Sequence, residues 1–444
     1  MLPDDDNIMN EATILLRDLI RINTTNPPGN ETKAAQYLFD FFSQEDYEPE
    51  ILESAEERGN LLVRLPDKDD QSLLFLSHLD VVPASPEGWD LDPWKGEIKD
   101  GFIYGRGALD CKSLVAIEAL TLVLLKREGF RPKGDLIFAA VANEEKGGKL
   151  GAGWLVKNHP DKVGAKFVIN EGGGIGVPVK GVNKYLIQVA EKGVFWTKIQ
   201  MKGTPGHASI PTVGENALVS MAAVVEKLGK HRTAIEIQDV VREMIFKLVG
   251  KGLGSRLLLT PFLTDRLLNR LRKNKPEMSE LFRALVRNTI APTMFHAGVK
   301  ENIIPETAEA ILDCRLLLGQ DFEDLKAEFA KALGDLSQLK IEHITQDPGT
   351  VSPHDSELFV AIERQIAAAD PGATCVPFMV SGGTDSRFFR KAFGSVAYGF
   401  QPIQPDIPLS ELIKLVHGRN ERISQENLVF GTKILYHLTK DLLS

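Results

Sequence analysis

Apolar segments of strand length that alternate with helices constrain the fold of this chain more than any other feature. Strand-like runs are found at 60–65, 73–78, 135–143 and 166–170. Helices are predicted at 11–22, 31–44 and 113–126. Apolar strands that alternate with helices favour a mainly parallel sheet covered on both faces. The first part of the chain is therefore predicted to be an α/β domain.

A different pattern begins after residue 193 and predicts a second, smaller domain. Strands are predicted at 194–202, 290–297, 303–318 and 339–345, and helices at 214–229 and 321–334. The order β, α, β, β, α, β fits an α+β sandwich of the split βαβ (ferredoxin-like) kind. The first pattern then returns with a helix at 355–368, a strand at 395–400 and a helix at 424–441. We therefore predict one domain from 1–193 and 349–444, interrupted by a second domain at 194–348.

A helical insert is predicted at about 235–288, inside the second domain. It carries basic residues among leucines, namely Arg256, Arg266, Arg270, Arg272, Lys273 and Lys275. Such a stretch could lie on a membrane surface or cover a groove. The simplest interpretation is a solvated helical decoration.

Composition excludes several classes of protein. A length of 444 residues exceeds one ordinary core, and the content of 43% hydrophobic and 25% charged residues is that of a soluble globular protein. No apolar run approaches the roughly 20 residues that span a bilayer. The acidic start, MLPDDDNIMNEA, favours a cytoplasmic protein. The net charge of −9 argues against nucleic acid as a partner, and three cysteines without CxxC spacing indicate neither a disulfide framework nor a thiolate zinc site.

Ionisable residues stand where three of the predicted strands end. His78 closes one strand, the pair Glu144 and Glu145 follows the next, and Glu171 follows another. Ligands collect at the carboxyl ends of strands in open α/β sheets. Because buried acids are costly unless they are paired or bind metal, core packing is a poor explanation for this set.

Two aspartates extend the set. Asp80 lies two residues after His78, on the same side of the strand, where it could orient the imidazole. Asp110, in GRGALDCKS, is either a helix N-cap or a metal ligand. Imidazole and carboxylates without thiolates suit zinc, manganese or cobalt, and several acids suit two metals bridged by a carboxylate. Of the adjacent glutamates, one can bind metal while the other serves as general base.

The motifs, taken in order, resemble those of the M20 zinc-peptidase family, which includes carboxypeptidase S, aminoacylase-1, dipeptidases and succinyl-diaminopimelate desuccinylase. They are LLFLSHLDVVP (73–83), GRGALDCKS (105–113), ANEE (142–145), INEG (169–172), GHASIP (206–211), NIIP (302–305) and GGTDSRF (382–388). The resemblance covers nearly the entire chain. It implies a catalytic domain and an inserted lid or dimerisation domain.

Carried over residue by residue, the resemblance implies a site with two zinc ions, for which cobalt or manganese could substitute. His78, Asp110 and Glu171 would hold one ion. Asp110, Glu145 and His417 would hold the other, with Asp110 as the bridge. Asp80 would orient His78, and Glu144 would be the general base. Cys111 departs mildly from the family pattern, in which an acid or a methionine often follows the bridging aspartate.

The smaller domain would supply groups that contact substrate. His207 resembles a histidine that polarises the scissile carbonyl, usually in the partner subunit of a homodimer. Asn302 and Arg315 resemble a pair that holds substrate, although a simple pairing of Arg315 with Asp313 would also explain the arginine. The loop with Gly382, Gly383 and Thr384 resembles a backbone cradle for the substrate carboxylate.

The predicted function is hydrolysis of an amide bond next to a free α-carboxylate, as in a carboxypeptidase or dipeptidase. An aminoacylase acting on N-acyl amino acids is the alternative, because a leucine-rich insert could receive an acyl chain. A non-catalytic binding protein on the same fold is the third hypothesis, and loss of one or more metal ligands would be its signature. All five ligands and the base are present.

Overall fold

The computed structural model describes residues 2–67, 71–211 and 215–444. Its helices are α1 (Asp5–Arg21), α2 (Glu31–Gln44), α3 (Lys112–Glu128), α4 (Ala152–Asn158), α5 (Pro160–Val163), α6 (Ala217–Lys230), α7 (Asp239–Val249), α8 (Leu253–Leu258), α9 (Pro261–Asn274), α10 (Pro276–Leu285), α11 (Phe322–Leu333), α12 (Glu357–Ala369), α13 (Ser386–Phe393), α14 (Leu409–Leu415) and α15 (Gln425–Leu442), with a 3₁₀ turn at Glu144–Lys146.

The strands are β1 (Glu50–Glu53), β2 (Gly59–Leu65), β3 (Ser72–His78), β4 (Glu97–Lys99), β5 (Phe102–Tyr104), β6 (Asp135–Val141), β7 (Phe167–Asn170), β8 (Ile175–Val179), β9 (Val182–Glu191), β10 (Gly193–Lys202), β11 (Gly206–His207), β12 (Thr289–Ala297), β13 (Ile303–Ile304), β14 (Thr307–Leu316), β15 (Leu339–His343), β16 (Thr350–Val351), β17 (Thr374–Val380), β18 (Val396–Gly399) and β19 (Arg422–Ser424).

The chain divides into two compact units. The larger unit comprises Met1–Val189, Ser352–Phe378 and Thr384–Ser444, and the smaller comprises Ala190–Val351 and Met379–Gly383. The domain boundaries predicted from the sequence, 193/194 and 348/349, remain a prediction.

The sheet of the larger unit is parallel at its centre. Strands β6, β3, β7 and β18 lie side by side and run in the same direction. Strands β2 and β1 continue one edge in antiparallel fashion. The predicted α/β fold with a mainly parallel sheet is confirmed. Residues of β3 and β6 are almost wholly buried because helices cover them, as fits their unbroken apolar sequences.

Helix α3 forms the centre of the helical layer behind this sheet. It packs against β3, α1 and α15, and nearly all of its residues are buried. A helix that is apolar on every side is expected to be enclosed in this way. Helix α1 begins earlier than the predicted residue 11, because the Asp4 side chain accepts a hydrogen bond from Asn7 N and caps the first turn.

The smaller unit contains an antiparallel sheet in the order β12, β14, β10, β15. Helices α6 and α11 follow β10 and β14 in sequence, so the predicted β, α, β, β, α, β order is confirmed. Phe195, Ile199, Met221 and Phe329 lie in the core between helices and sheet. The predicted helix at 214–229 corresponds to α6, and its first residue lies outside the described residues.

A single strand at 303–318 was a wrong prediction. The segment is divided into β13 and β14 with Pro305 between them, and β13 pairs with β11 instead of the four-stranded sheet. Proline has no N–H to donate to a ladder, which explains the break. The insert is helical as predicted, and α7 to α10 occupy it. No helix among the described residues is both long enough and apolar enough to cross a membrane.

Candidate metal centre

Three neighbouring parallel strands bring ionisable groups to one edge of the larger unit. Strand β3 lies between β6 and β7, with His78 opposite Val141 of β6. The carboxyl ends of these strands therefore meet at the same edge. His78 ends β3, Glu144 follows β6, and Glu171 follows β7. One donor atom from each of these three side chains lies within 4.8 Å of the other two.

A second group of three donors contains Asp110, Glu145 and His417, again with donor atoms within 4.8 Å of one another. His417 Nε2 lies 3.1 Å from Asp110 Oδ2 and 3.2 Å from Glu145 Oε1. The fold thus brings His417, which follows α14, to residues more than 200 positions earlier in the chain. Periodicity gave no signal for this contact.

Asp110 joins the two groups. Its Oδ1 atom lies 2.9 Å from His78 Nε2, while its Oδ2 atom faces His417. The alternative role as a helix cap finds no support, because the N-cap position of α3 belongs to Cys111 and no side chain caps the helix there. One carboxylate therefore contacts two imidazoles through its two oxygens, which is the arrangement expected of a bridging metal ligand.

The donor set fits divalent metal ions. Two ligands bound about 2.1 Å from a tetrahedral zinc ion stand roughly 3.4 Å apart, close to the separations found between His417 and its two carboxylates. Glu145 Oε1 is buried and accepts no hydrogen bond, although an imidazole lies beside it. A buried carboxylate oxygen without a donor needs a positive partner, and a metal ion supplies one.

Positive charge is scarce around the buried carboxylates of this site. Burial and the Asp110 carboxylate raise the pKa of Glu171 to about 8. Burial and the Glu171 carboxylate raise the pKa of Glu144 well above its usual range. A hydrogen bond with Asp110 and the adjacent Glu145 carboxylate raise the pKa of His417 to about 10. Crowded acids hold protons in this way when no cation neutralises them, and two divalent ions would release those protons.

Cys111 stands beside His78 but is a poor ligand. Its sulfur accepts a hydrogen bond from His78 N at 3.3 Å and lies 3.6 Å from His78 O. Burial raises the pKa of the Cys111 thiol to about 12, whereas metal binding requires the thiolate. The geometry therefore assigns Cys111 a packing role between β3 and the start of α3.

Asp80 contacts His78 through its main chain rather than through its carboxylate. His78 Nδ1 lies 2.9 Å from Asp80 O and 3.7 Å from Asp80 Oδ1. The carboxylate instead accepts hydrogen bonds from the backbone amides of Glu144, at 3.0 Å, and Glu145, at 3.1 Å. Asp80 therefore fixes the imidazole and also the turn that presents the two glutamates.

A polar layer behind Asp80 was missed by the sequence reasoning. Asn26 Nδ2 donates to Asp80 Oδ2 at 2.8 Å, and Arg58 Nη2 donates to Asn26 Oδ1 at 3.2 Å. Arg58 also pairs with the fully buried Glu31 at 2.6 Å. Asn26 lies in the segment NTTNPPGN (23–30), between the helices predicted at 11–22 and 31–44. The many polar residues around the two prolines of this segment are the sequence feature that could have indicated the polar layer.

A buried ion pair holds the other side of the centre. Arg106 Nη1 donates to Glu421 Oε2 at 2.5 Å, and Glu421 Oε1 accepts from the amides of Gly107, Leu109 and Asp110 at 2.8 to 3.1 Å. Arg106 Nη2 also donates to His417 O at 3.2 Å. This pair ties the loop that carries Asp110 to the loop that carries His417. Sequence reasoning could not find it, since its two residues lie 315 positions apart.

The predicted substrate residues lie in two places. In the smaller unit, His207 in β11 and Asn302 are neighbours, because the amide that follows His207 donates to Asn302 O at 3.0 Å. Arg315 makes the alternative contact foreseen for it, a bidentate pair with Asp313 at 2.6 and 2.9 Å.

Thr384, the last residue of the predicted cradle, lies in the larger unit. A Cβ atom at Gly172 would meet the Thr384 methyl at 3.5 Å, so Thr384 stands beside the residue that follows Glu171. Gly383 immediately precedes it, in a segment without regular structure. The threonine of the predicted cradle is therefore close to the metal centre.

Comparison with known proteins agrees with these features. The sequence model of the peptidase family M20/M25/M40 matches residues 74–441. The N-fatty-acyl-amino acid synthase/hydrolase PM20D1 of Xenopus tropicalis is 31% identical over 363 residues, covering 80% of this chain and 69% of the relative. The probable carboxypeptidase S-like 2 of Dictyostelium discoideum is 29% identical over 387 residues, covering 84% and 72%.

Among solved structures, the M20 family metallo-carboxypeptidase Sso-CP2 of Sulfolobus solfataricus superimposes with a TM-score of 0.75 at 18% identity, covering 97% of this chain and 99% of that one. The resemblance inferred from the ordered motifs is therefore confirmed, and so is the prediction of a metal-dependent hydrolase. The chain belongs to the peptidase family M20/M25/M40.

Proposed function

We propose that this hydrolase cleaves an amide bond next to a free α-carboxylate at a centre that holds two zinc ions, for which cobalt or manganese can substitute. The contact of Asp110 with both His78 and His417 carries the proposal. His78, Asp110 and Glu171 would hold one ion. Asp110, Glu145 and His417 would hold the other.

Glu144 is the proposed general base. When bound, the two ions would polarise the scissile carbonyl and acidify the attacking water. Glu144 lies with His78 and Glu171 at the strand ends, and Asp80 holds its backbone amide. It would accept the proton of the attacking water and deliver it to the leaving amine.

N-acyl amino acids are the substrate class that we favour. Sequence analysis placed peptides first, but the vertebrate relatives at 28 to 31% identity carry the name N-fatty-acyl-amino acid synthase/hydrolase. Peptides are the second candidate, supported by the carboxypeptidase S-like relative. Both classes present an amide bond beside a free carboxylate, so the same centre could serve either.

A substrate panel tests this choice. N-acetyl, N-octanoyl and N-oleoyl amino acids should be compared with Gly-Leu dipeptides, at matched metal loading. We expect kcat/KM to be higher for N-acyl amino acids than for dipeptides. Faster cleavage of the dipeptides would reverse the order, and no cleavage of either class by metal-loaded protein would refute the proposed reaction.

The smaller unit would complete the site in a homodimer. His207 would polarise the carbonyl in the partner's centre, while Asn302, Arg315, Gly383 and Thr384 would bind the substrate carboxylate. The neighbouring positions of His207 and Asn302 support a joint role. Mixing inactive Glu144→Gln and His207→Ala subunits tests it, because exchange would create some dimers with one intact composite site. Activity restored on mixing is expected, whereas two inactive variants that stay inactive after subunit exchange would contradict the shared site.

A cytoplasmic location is also proposed. Cys111, Cys314 and Cys375 are all buried and free. Free cysteines are typical of a reducing compartment.

A further inference from the structure

Helices α8 and α9 of the insert expose large apolar side chains beside cations. Leu253 is 76% exposed and Phe262 66% exposed, and Leu257 is 45% exposed. Residues 250–275 carry seven lysines and arginines but a single acid, Asp265, in a chain whose net charge is −9. This stretch therefore differs in charge from the rest of the molecule.

Asp265, the single acid of residues 250–275, lies on the side of α9 that packs against α10. Asp265 Oδ1 accepts from Arg287 at 2.6 Å and lies 3.3 Å from Arg283 Nη1. Leu268 is buried on the same side, and its carbonyl accepts from Ser279 of α10 at 2.8 Å. These contacts attach α9 to α10 and leave no acid on the opposite side of α9.

That opposite side presents Phe262, Arg266, Arg270 and Lys273. Their spacing of four, four and three residues places them on one face of the helix. The Arg266 guanidinium lies 5.0 Å from the centre of the Phe262 ring. In the described part of the chain, no carboxylate lies within ion-pair distance of these three cations. Leu253 and Leu257 are exposed on α8, which contacts α9, and they are grouped with these four residues as the basic apolar face.

We propose that the basic apolar face binds the surface of a bilayer that contains anionic lipids. Cations would contact the phosphate and carboxylate headgroups, while Phe262 and Leu253 would enter the boundary between headgroups and acyl chains. Charge complementarity selects this occupant. A second copy of the same face would bring like charges together, and nucleic acid would leave the exposed leucines and phenylalanine in water.

Vesicle co-sedimentation of the metal-loaded full chain tests the proposal. The probes are phosphatidylcholine vesicles alone and vesicles with 30% phosphatidylserine, at low and high salt. Binding to the anionic vesicles is expected, with little binding to neutral ones and a decrease as salt rises. Failure to bind anionic vesicles at low salt would overturn the proposal.

Charge-reversal variants locate the surface. The triple variant Arg266→Glu, Arg270→Glu, Lys273→Glu should weaken binding by at least about a hundredfold, since loss of each cation near an anionic surface costs roughly fivefold and the added acids are repelled. The matched control Lys99→Glu, Arg131→Glu, Lys180→Glu changes the net charge equally at exposed positions of the larger unit and should bind nearly as the wild type does. Equal binding by the two triple variants would show that net charge, and not this face, controls the interaction.

A double variant tests the apolar side chains of the basic apolar face. Leu253→Ser with Phe262→Ser should weaken binding about tenfold at every salt concentration, because insertion of apolar side chains is insensitive to screening. All variants should keep wild-type hydrolysis of a short N-acetyl amino acid and an unchanged melting temperature. Unaltered vesicle binding by the serine variant would contradict insertion of the apolar side chains.

Discussion

The substitution Glu421→Gln tests whether the buried pair with Arg106 supports the metal centre. Glu421 is fully buried and Arg106 is 3% exposed. Glutamine can still turn its carbonyl oxygen toward the amides of Gly107, Leu109 and Asp110. Its NH₂ group would then face the Arg106 guanidinium, so a buried charge would lose its partner and two donors would oppose each other.

The size of the effect follows from this geometry. Removing one partner of a buried ion pair costs about 3 to 5 kcal/mol, and we expect a loss of about 3 kcal/mol because the amide contacts survive in neutral form. Since Arg106 also holds the carbonyl of His417, metal affinity should fall about 10- to 100-fold.

The control uses the same chemical change in the same segment of the chain. Glu411 pairs with Arg422 at 2.5 Å, but its side chain is 49% exposed. Glu411→Gln should therefore cost less than about 1 kcal/mol and leave metal affinity unchanged.

Urea unfolding of the metal-free proteins measures the free energies of unfolding, and competition with a chromophoric chelator measures metal affinity. A Glu421→Gln protein that matches Glu411→Gln in both measurements would refute the supporting role of the pair.

The remaining predictions concern catalysis, positioning, metal and pH. Glu144→Gln should keep its metal and lose at least about 100-fold in kcat, which metal analysis and turnover assays check together. Asn26→Ala removes a donor to the Asp80 carboxylate and should lower kcat about tenfold, whereas the exposed Asn158→Ala should leave it unchanged. A chelator should abolish activity and lower the melting temperature, and zinc should restore both. Burial and the nearby Arg315 lower the pKa of Lys192 to about 7. An unfolded lysine titrates near 10.4, so between pH 7 and 10 the unfolded chain binds more protons than the folded chain. The free energy of unfolding should therefore rise with pH in this range, by about 1 kcal/mol per pH unit from this residue. Lys192→Met should remove that gain, and parallel pH profiles of the two proteins would contradict it.

The sequence predicted the features that depend on local pattern. Unbroken apolar runs identified β3, β6 and β7, and the ionisable residues after them indicated a site at one sheet edge. The parallel pairing of His78 with Val141 then places these residues together. The split βαβ order of the smaller unit could also be predicted, because apolar residues recur with different spacings in its helices and in its strands.

Contacts between distant segments could not be read from local pattern. The pairing of Arg106 with Glu421 and the chain from Glu31 through Arg58 and Asn26 to Asp80 are such contacts. Charged residues of this kind usually lie in solvent, so their burial appears only when the fold is known. The position of His417 beside Asp110 is of the same type, and only the resemblance to a family indicated it.

The role of Asp80 differs from the one that its position in the sequence predicts. Its position suggested a carboxylate that orients the His78 imidazole. In the structure the main-chain carbonyl of Asp80 makes that contact, while the carboxylate holds the amides of Glu144 and Glu145. Sequence spacing can place a side chain on a face, but it does not decide which of a residue's two oxygen-bearing groups faces its neighbour.

Metal content of the purified protein is the most direct test of the central claim. Two divalent ions per chain are expected in the wild type by elemental mass spectrometry. Asp110→Asn should lose most of both, because Asp110 contacts His78 and His417 alike. A wild-type protein that binds no more than one ion under metal saturation, or an Asp110→Asn protein that still binds two with wild-type affinity, would contradict it.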